Sequence, residues 1–431
     1  MLFKNPLSPL NNSMNILDKK FLCPAPFTGL TINPQGHIVL CCASYRVPIA
    51  HMNNIESLES VYNSSQMQYY RDAFYNNKEQ EVLKIECQAC RIKAKWGLRS
   101  RMDILRDTDR YVYNNINKDY MASNEGWNAT NKTIRYLEFT TSNICNQSCA
   151  MCGPDFSSKW VSIERGLGND VKNYVMPDDN IQQIIDVLPG LEYLTIKGGE
   201  PFADENNLKI LTELNKVNST CDVRIISNCS NITDNMLEVL KERATFDKPV
   251  KVVASVDGID DLYYWIRSTD FNTTLETLEK IYIATKQPII INITISLYNI
   301  YNILEIFEFF YDKPYIGFIS TNWAVVWPRY ASPSMLQPEE IEQIKTNILT
   351  RIEGQTEFGD MFYGMDTNRD NTNNMNWMQN CRLKSYKVID NGIYDEYYPQ
   401  VATQIDKINK IRGTNLYDIV PQLKSFIDPA Y

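Results

Sequence analysis

Cys145, Cys149 and Cys152 stand at C-x3-C-x2-C spacing directly behind Arg135-Tyr-Leu-Glu-Phe-Thr-Thr141, an apolar, β-rich run that predicts a strand. Thiolates packed this closely serve one shared ligand better than they serve disulfides. Three of them can hold three irons of a cubane and leave the fourth iron open. A structural zinc site normally closes with four ligands, so zinc here needs a distant thiol such as Cys229. Cys23, then Gly36-His-Ile-Val-Leu-Cys41-Cys42, then Cys87-Gln-Ala-Cys90 form a second set. Its four thiolates are enough to close a 4Fe-4S cluster at every iron or to build a four-cysteine zinc knuckle. Cys41 and Cys42 are adjacent and cannot both point inward from a strand, so one of them is an ordinary buried residue. Cys221, Cys229 and Cys381 are isolated and read as small core side chains.

Other polar motifs close later apolar runs. Leu194-Thr-Ile-Lys-Gly198-Gly199-Glu200-Pro201-Phe202 ends the second. Its glycines let backbone approach a ligand without a Cβ in the way, and the Glu200 carboxylate is suited to an ammonium group. Ser227-Asn228 forms a polar pair at the tip of the third run. Ala254-Ser255-Val256-Asp257-Gly258 ends the fourth and is trailed by Arg267. The Ser255 hydroxyl and the Arg267 guanidinium both match carboxylate oxygens.

The elements that must position these groups follow from periodicity. Apolar runs at 134–141, 191–196, 223–227, 250–256, 289–296 and 316–326 alternate with helical spacing at 179–188, 206–217, 233–242, 273–285 and 300–311. Such alternation predicts a parallel sheet with crossover helices, in which chemistry gathers at the C-terminal strand ends. Residues 1–125 read as a small cysteine-rich domain with helices near 55–76 and 80–106, followed by an Asn-rich stretch at 114–132. The α/β region spans 130–345 and 346–431 is a helical C-terminal extension; a helix from Pro338 to about Ile352 crosses this boundary, followed by a polar tract at 354–376 and helical spacing at 400–426. Trp323 and Trp327, near the last strand, suit either a substrate space or core packing.

Composition narrows the function. The 431 residues carry 43 basic and 52 acidic side chains, a net charge of -9, and 44% apolar residues. This is folded-protein composition without the cationic face that drives non-specific nucleic-acid binding. The two histidines, His37 and His51, cannot assemble a zinc site or triad that needs several imidazoles, and they read as packing or hydrogen-bonding groups. The first dozen residues lack the apolar core of a signal peptide and no segment has the length of a membrane span, so the cytoplasm is the expected location.

The cysteine motif, the Gly-Gly-Glu-Pro loop and the Ser-x-Asp-Gly stretch together resemble the radical S-adenosylmethionine (radical SAM) superfamily. The resemblance implies a partial (β/α)6 TIM-type barrel. It also implies a catalytic 4Fe-4S cluster on Cys145, Cys149 and Cys152, and an S-adenosylmethionine site drawing on Met151, Gly198, Gly199, Glu200, Pro201, Ser227, Asn228, Ser255, Asp257 and Arg267. Met151 stands where an aromatic residue is frequent in the family, and its thioether can still cover an apolar ring. The N-terminal set resembles the auxiliary-cluster extension called SPASM, or its shorter form twitch, although in most relatives that module follows the barrel. A second 4Fe-4S cluster on Cys23, Cys41, Cys87 and Cys90 is implied, with zinc as the alternative. Reductive cleavage of S-adenosylmethionine, hydrogen abstraction from a peptide or protein, and an external donor such as flavodoxin or ferredoxin follow from the resemblance. The alternatives are a radical SAM enzyme acting on a small metabolite and a non-catalytic iron-sulfur carrier.

Overall fold

The computed structural model describes residues 23–44, 48–75, 87, 90, 101, 102, 105, 133–325, 328–353 and 393–426. The polar tract at 354–376, most of the helix expected at 80–106, the Asn-rich stretch, Trp327 and Cys381 lie outside these residues.

One sheet organises the molecule. Strands β1 (Gly29–Ile32), β2 (His37–Val39), β3 (Ala50–His51), β4 (Tyr136–Phe139), β5 (Tyr193–Ile196), β6 (Asp222–Ser227), β7 (Lys251–Ser255), β8 (Ile289–Ile295) and β9 (Ile316–Ala324) run in the order β3-β2-β1-β4-β5-β6-β7-β8-β9. From β4 to β9 every pairing is parallel, and helices cross between successive strands. This is the parallel sheet with crossover helices that the alternation predicts, in keeping with the partial barrel that the resemblance implies. Along β8 the side chains of Ile289, Ile291, Ile293 and Ile295 are buried, while Ile290, Asn292 and Thr294 between them are half-buried. The period of two thus gives one face to the helical layer and turns the other inward.

The N-terminal segment is joined to the barrel through the sheet. β1 pairs in parallel with β4, Gly29 opposite Tyr136 through Ile32 opposite Phe139. A Cβ on Gly29 would lie 1.6 Å from the Tyr136 carbonyl oxygen, so only glycine permits this approach. β2 and β3 then extend the sheet antiparallel. These short strands are absent from the sequence reading, because two to four residues carry no measurable alternation.

The helices are α1 (Ala25–Thr28), α2 (Leu58–Tyr62), α3 (Ser65–Tyr75), α4 (Ser158–Gly166), α5 (Asp178–Val187), α6 (Glu205–Val217), α7 (Asp234–Arg243), α8 (Asp260–Arg267), α9 (Phe271–Thr285), α10 (Ile303–Tyr311), α11 (Pro338–Glu353), α12 (Ile393–Arg412) and α13 (Leu416–Ile419). Ser157, Asp204, Thr233 and Asp270 cap α4, α6, α7 and α9 through side-chain oxygens. The sequence reading omits α4 and α8, and it starts the C-terminal helix at 400, whereas α12 begins at Ile393 and contains Pro399. One apolar core runs from Cys23 to Leu423. Among the described residues no helix is long and apolar enough to cross a membrane.

Candidate functional site

A cavity of about 620 Å³ opens at the C-terminal ends of the parallel strands, within the size range of cofactor and ligand sites. Its wall includes Cys145, Cys149, Met151 and Cys152, with Gly198 and Gly199 after β5, Ser227 and Asn228 at the end of β6, Ser255 at the end of β7, Asp257 beyond it and Arg267 on α8. Thr140, Gln147, Lys197 and Thr294 complete the inner surface, and Phe156, Pro328 and Tyr330 stand at the cavity as well. Residues from Thr140 to Tyr330, 190 positions apart in sequence, thus meet in one space.

The cysteine loop is anchored at nearly every turn. The Cys145 N–H donates to Ser158 Oγ at 3.0 Å, and that hydroxyl donates back to the Cys145 carbonyl at 3.1 Å. Ser157 Oγ donates to the Gln147 carbonyl at 2.5 Å, and the Gln147 amide donates to Thr269 Oγ1 at 2.6 Å. The Ser148 N–H reaches Ser268 Oγ at 2.8 Å, and the Ala150 N–H reaches the Ile266 carbonyl at 2.7 Å. The Trp160 indole on α4 donates to the Cys149 carbonyl at 2.9 Å. Helices α4 and α8, both unforeseen, therefore grip the loop from two sides.

Around the thiols the environment is both apolar and charged. Burial pushes all three thiols up, Cys152 to about 12. At Cys149 the nearby Arg267 acts in the opposite direction, with its Nη1 3.8 Å from Cys149 Sγ. Burial disfavours the Arg267 cation, but Asp257, ion-paired with it at 2.5 Å, together with Cys149 and Tyr263 outweighs burial and holds the guanidinium charged. Asp257 also accepts from the Thr294 N–H at 2.7 Å. Asn228 Nδ2 lies 3.8 Å from Cys145 Sγ and donates to Asn146 Oδ1 at 2.9 Å.

Glu200 and Pro201, two of the expected cofactor contacts, are buried. Glu200 is 1% exposed and its carboxylate is off the cavity wall, where it accepts from the Phe202 N–H, Ser227 Oγ and the Asn228 N–H at 2.9, 2.6 and 2.7 Å. These bonds tie the loop after β5 to the end of β6. Pro201 is buried beneath it, also off the wall. The glycines serve a related purpose. A Cβ on Gly198 would lie 2.2 Å from Thr140 Cγ2, and one on Gly199 would lie 2.0 Å from the Ile144 carbonyl oxygen. They let the β5 loop seat against the cysteine loop, fixed there by the Glu200 N–H to Ile144 carbonyl bond of 2.6 Å.

The N-terminal thiols also converge. Cys23, Cys41, Cys87 and Cys90 line one enclosed space with Phe74, Arg101 and Met102. Cys42 instead faces Glu138, whose carboxylate sits at the centre of a charged group that sequence reasoning missed. Glu138 Oε2 accepts from Tyr136 OH at 2.6 Å and from Arg101 Nη2 at 3.0 Å, and Oε1 pairs with Lys197 Nζ. Burial opposes the charge, but Lys197 and Arg101 outweigh it and hold the carboxyl at about 2. Arg101 borders the four-thiol space and Lys197 borders the barrel cavity, so one carboxylate bridges the two.

His37 and His51 pack edge to face at 5.0 Å, and His51 Nε2 bonds the Gln35 carbonyl at 3.0 Å. Cys221 and Cys229 are fully buried.

The donor set fits the groups implied by the motifs. Three thiols share one cavity wall, and Thr140 Oγ1 on that wall is buried with no hydrogen-bond partner among the described residues. Among the described residues no three His, Cys, Asp or Glu side chains are grouped around a single ion; a cubane spreads its ligands over separate irons.

Two family profiles match the chain in sequence order. The iron-sulfur cluster-binding domain SPASM covers residues 23–91, and the Radical SAM superfamily covers residues 139–310. Curated relatives include GTP 3',8-cyclase of Clostridium botulinum, 26% identical over 168 residues, which are 38% of this chain and 48% of that protein. The chain thus spans about half the length of the curated relatives it matches. Solved structures with similarity include Streptococcus suis SuiB bound to S-adenosylmethionine, at 15% identity, 76% of this chain, 69% of that chain and a TM-score of 0.39. Another is anSMEcpe with bound AdoMet and a peptide, at 17% identity, 51% and 60% coverage and a TM-score of 0.37. The two profiles imply 4Fe-4S clusters and S-adenosylmethionine, the groups that the thiols and the strand-end cavity fit. The chain thus carries a radical SAM domain at residues 139–310 and, ahead of it, an iron-sulfur cluster-binding SPASM domain at residues 23–91.

Proposed function

We propose that this protein is a radical SAM enzyme that reductively cleaves S-adenosylmethionine and abstracts a hydrogen atom from a peptide or protein. The convergence of Cys145, Cys149 and Cys152 with the β5, β6 and β7 strand-end loops on one cavity carries this reading. When bound, the cluster and S-adenosylmethionine supply the electron that splits a carbon–sulfur bond and the primary carbon radical that takes the hydrogen. The protein's own groups do the rest. The three thiols hold three irons, and the anchored cysteine loop fixes their placement. Ser255, Thr140 and the Asn228 amide offer polar contacts to the cofactor from the cavity wall, and Met151 offers an apolar one. Arg267 keeps its charge through Asp257 and directs it at Cys149 and the cavity. Phe156, Pro328 and Tyr330 add rings to the same wall.

The peptide or protein substrate rests on the N-terminal domain, because relatives with auxiliary clusters often modify peptides or proteins. Cys23, Cys41, Cys87 and Cys90 hold a second 4Fe-4S cluster in this reading, and an external donor of the flavodoxin or ferredoxin type supplies electrons. A second reading, a nucleotide substrate, is favoured by the partial match to GTP 3',8-cyclase.

Anaerobically reconstituted protein with dithionite and S-adenosylmethionine is expected to form 5'-deoxyadenosine, and Cys149→Ala to form none. Equal formation by both proteins removes the cluster assignment. A rise in 5'-deoxyadenosine with consumption of added GTP selects the nucleotide reading. About eight irons per chain supports two clusters, whereas about four irons with zinc recasts the N-terminal site as structural.

A further inference from the structure

The last turn of α12 lies outside both family matches, yet it reaches the cysteine loop. Arg412 is 7% exposed, and all of its guanidinium nitrogens are engaged. Nη1 donates to Ser148 Oγ at 3.1 Å, Nη2 to the Ser148 carbonyl, and Nε to the Trp265 carbonyl on α8 at 3.1 Å. Neighbours on α12 hold the helix in place. Asn409 accepts from the Trp265 indole at 2.8 Å, and Lys407 pairs with Glu164 on α4 at 2.9 Å. Ser148 stands between two of the cluster thiols in sequence, and the Arg412 guanidinium lies against the carbonyl of the peptide that joins Ser148 to Cys149.

We propose that Arg412 is a positioning residue for the barrel cluster, clamping the Ser148 peptide and adding a buried positive charge that favours the reduced cluster. This rests on the cluster assignment above. Reduction adds a negative charge, so a fixed cation beside a thiolate ligand raises the potential at which the electron is taken up. The forked donors serve the clamp, since lysine carries charge without two parallel N–H groups.

The test uses the full chain, reconstituted anaerobically, and follows the EPR signal that responds to S-adenosylmethionine through a redox titration. Iron loss to a chelator is timed alongside. Arg412→Gln is expected to lower the midpoint potential of that signal. Arg412→Lys is expected to keep the midpoint near the wild-type value but to lose iron from that site several-fold faster. A wild-type midpoint in the Gln variant, or a wild-type rate of iron loss in the Lys variant, overturns the proposal. Should the Gln protein not fold, iron loss from the Lys protein decides. Absence of an S-adenosylmethionine-sensitive signal in the wild-type protein defeats the cluster assignment instead, and Cys149→Ala marks that case.

Discussion

The Glu200 carboxyl is under two opposed influences. Burial favours the neutral acid and three donated hydrogen bonds favour the anion; burial prevails and pushes it up to about 7. With its folded value above the ordinary 4.5, the folded protein retains a proton that the unfolded chain releases across that interval. The group's contribution is therefore fully present below about 4.5 and is lost as pH rises through about 7, a change of roughly 3 kcal/mol. Glu200→Gln removes this titration. Urea unfolding at several pH values is expected to show wild-type stability falling relative to Glu200→Gln between pH 5 and 7.5; parallel curves would sink the assignment. Sequence placed Glu200 in the loop after β5 but not its bonds to the end of β6, because a strand-end carboxylate reads the same whatever it bonds. Arg412 was hidden more deeply. It is one charge in a helical stretch, and its partner Ser148 is 264 residues away.

At the scale of elements, the six parallel strands were legible because their apolar runs are framed by polar strand ends. Helices α4 and α8 were not, since each is short and its buried face is made partly of side chains that bond the cysteine loop. Tyr263 on α8, for example, accepts from the Gln147 amide at 3.3 Å. Strand β4 carries a second hidden feature in Glu138, which reads as an ordinary acidic residue until Arg101 from the N-terminal segment and Lys197 after β5 close around it. Glu138→Gln keeps the shape and removes the charge, leaving two cations poorly compensated. Breaking such a pair costs on the order of 3 kcal/mol. Adding Lys197→Met to Glu138→Gln should recover part of that loss, a coupling that a double-mutant cycle in urea measures. Additive losses would show that the bridge contributes nothing beyond its separate parts.

Across the whole molecule, the N-terminal segment and the barrel share β1–β4 pairing, the Glu138 bridge and one apolar core. Segments joined by a continuous sheet and a buried charge unfold together unless their interface is weaker than either part. The four-thiol space lies on this junction, with Arg101 common to its wall and to the bridge. Emptying that site in a Cys87→Ala and Cys90→Ala double variant removes metal-binding free energy from the folded state alone. The loss is thus expected to pass to the whole chain. Anaerobic calorimetry should show one transition moved to lower temperature, with the signals of the sheet and of barrel-cluster release moving together. Two separated transitions, the barrel's unchanged, would mean that β1 docks on β4 without binding the two parts into one cooperative unit.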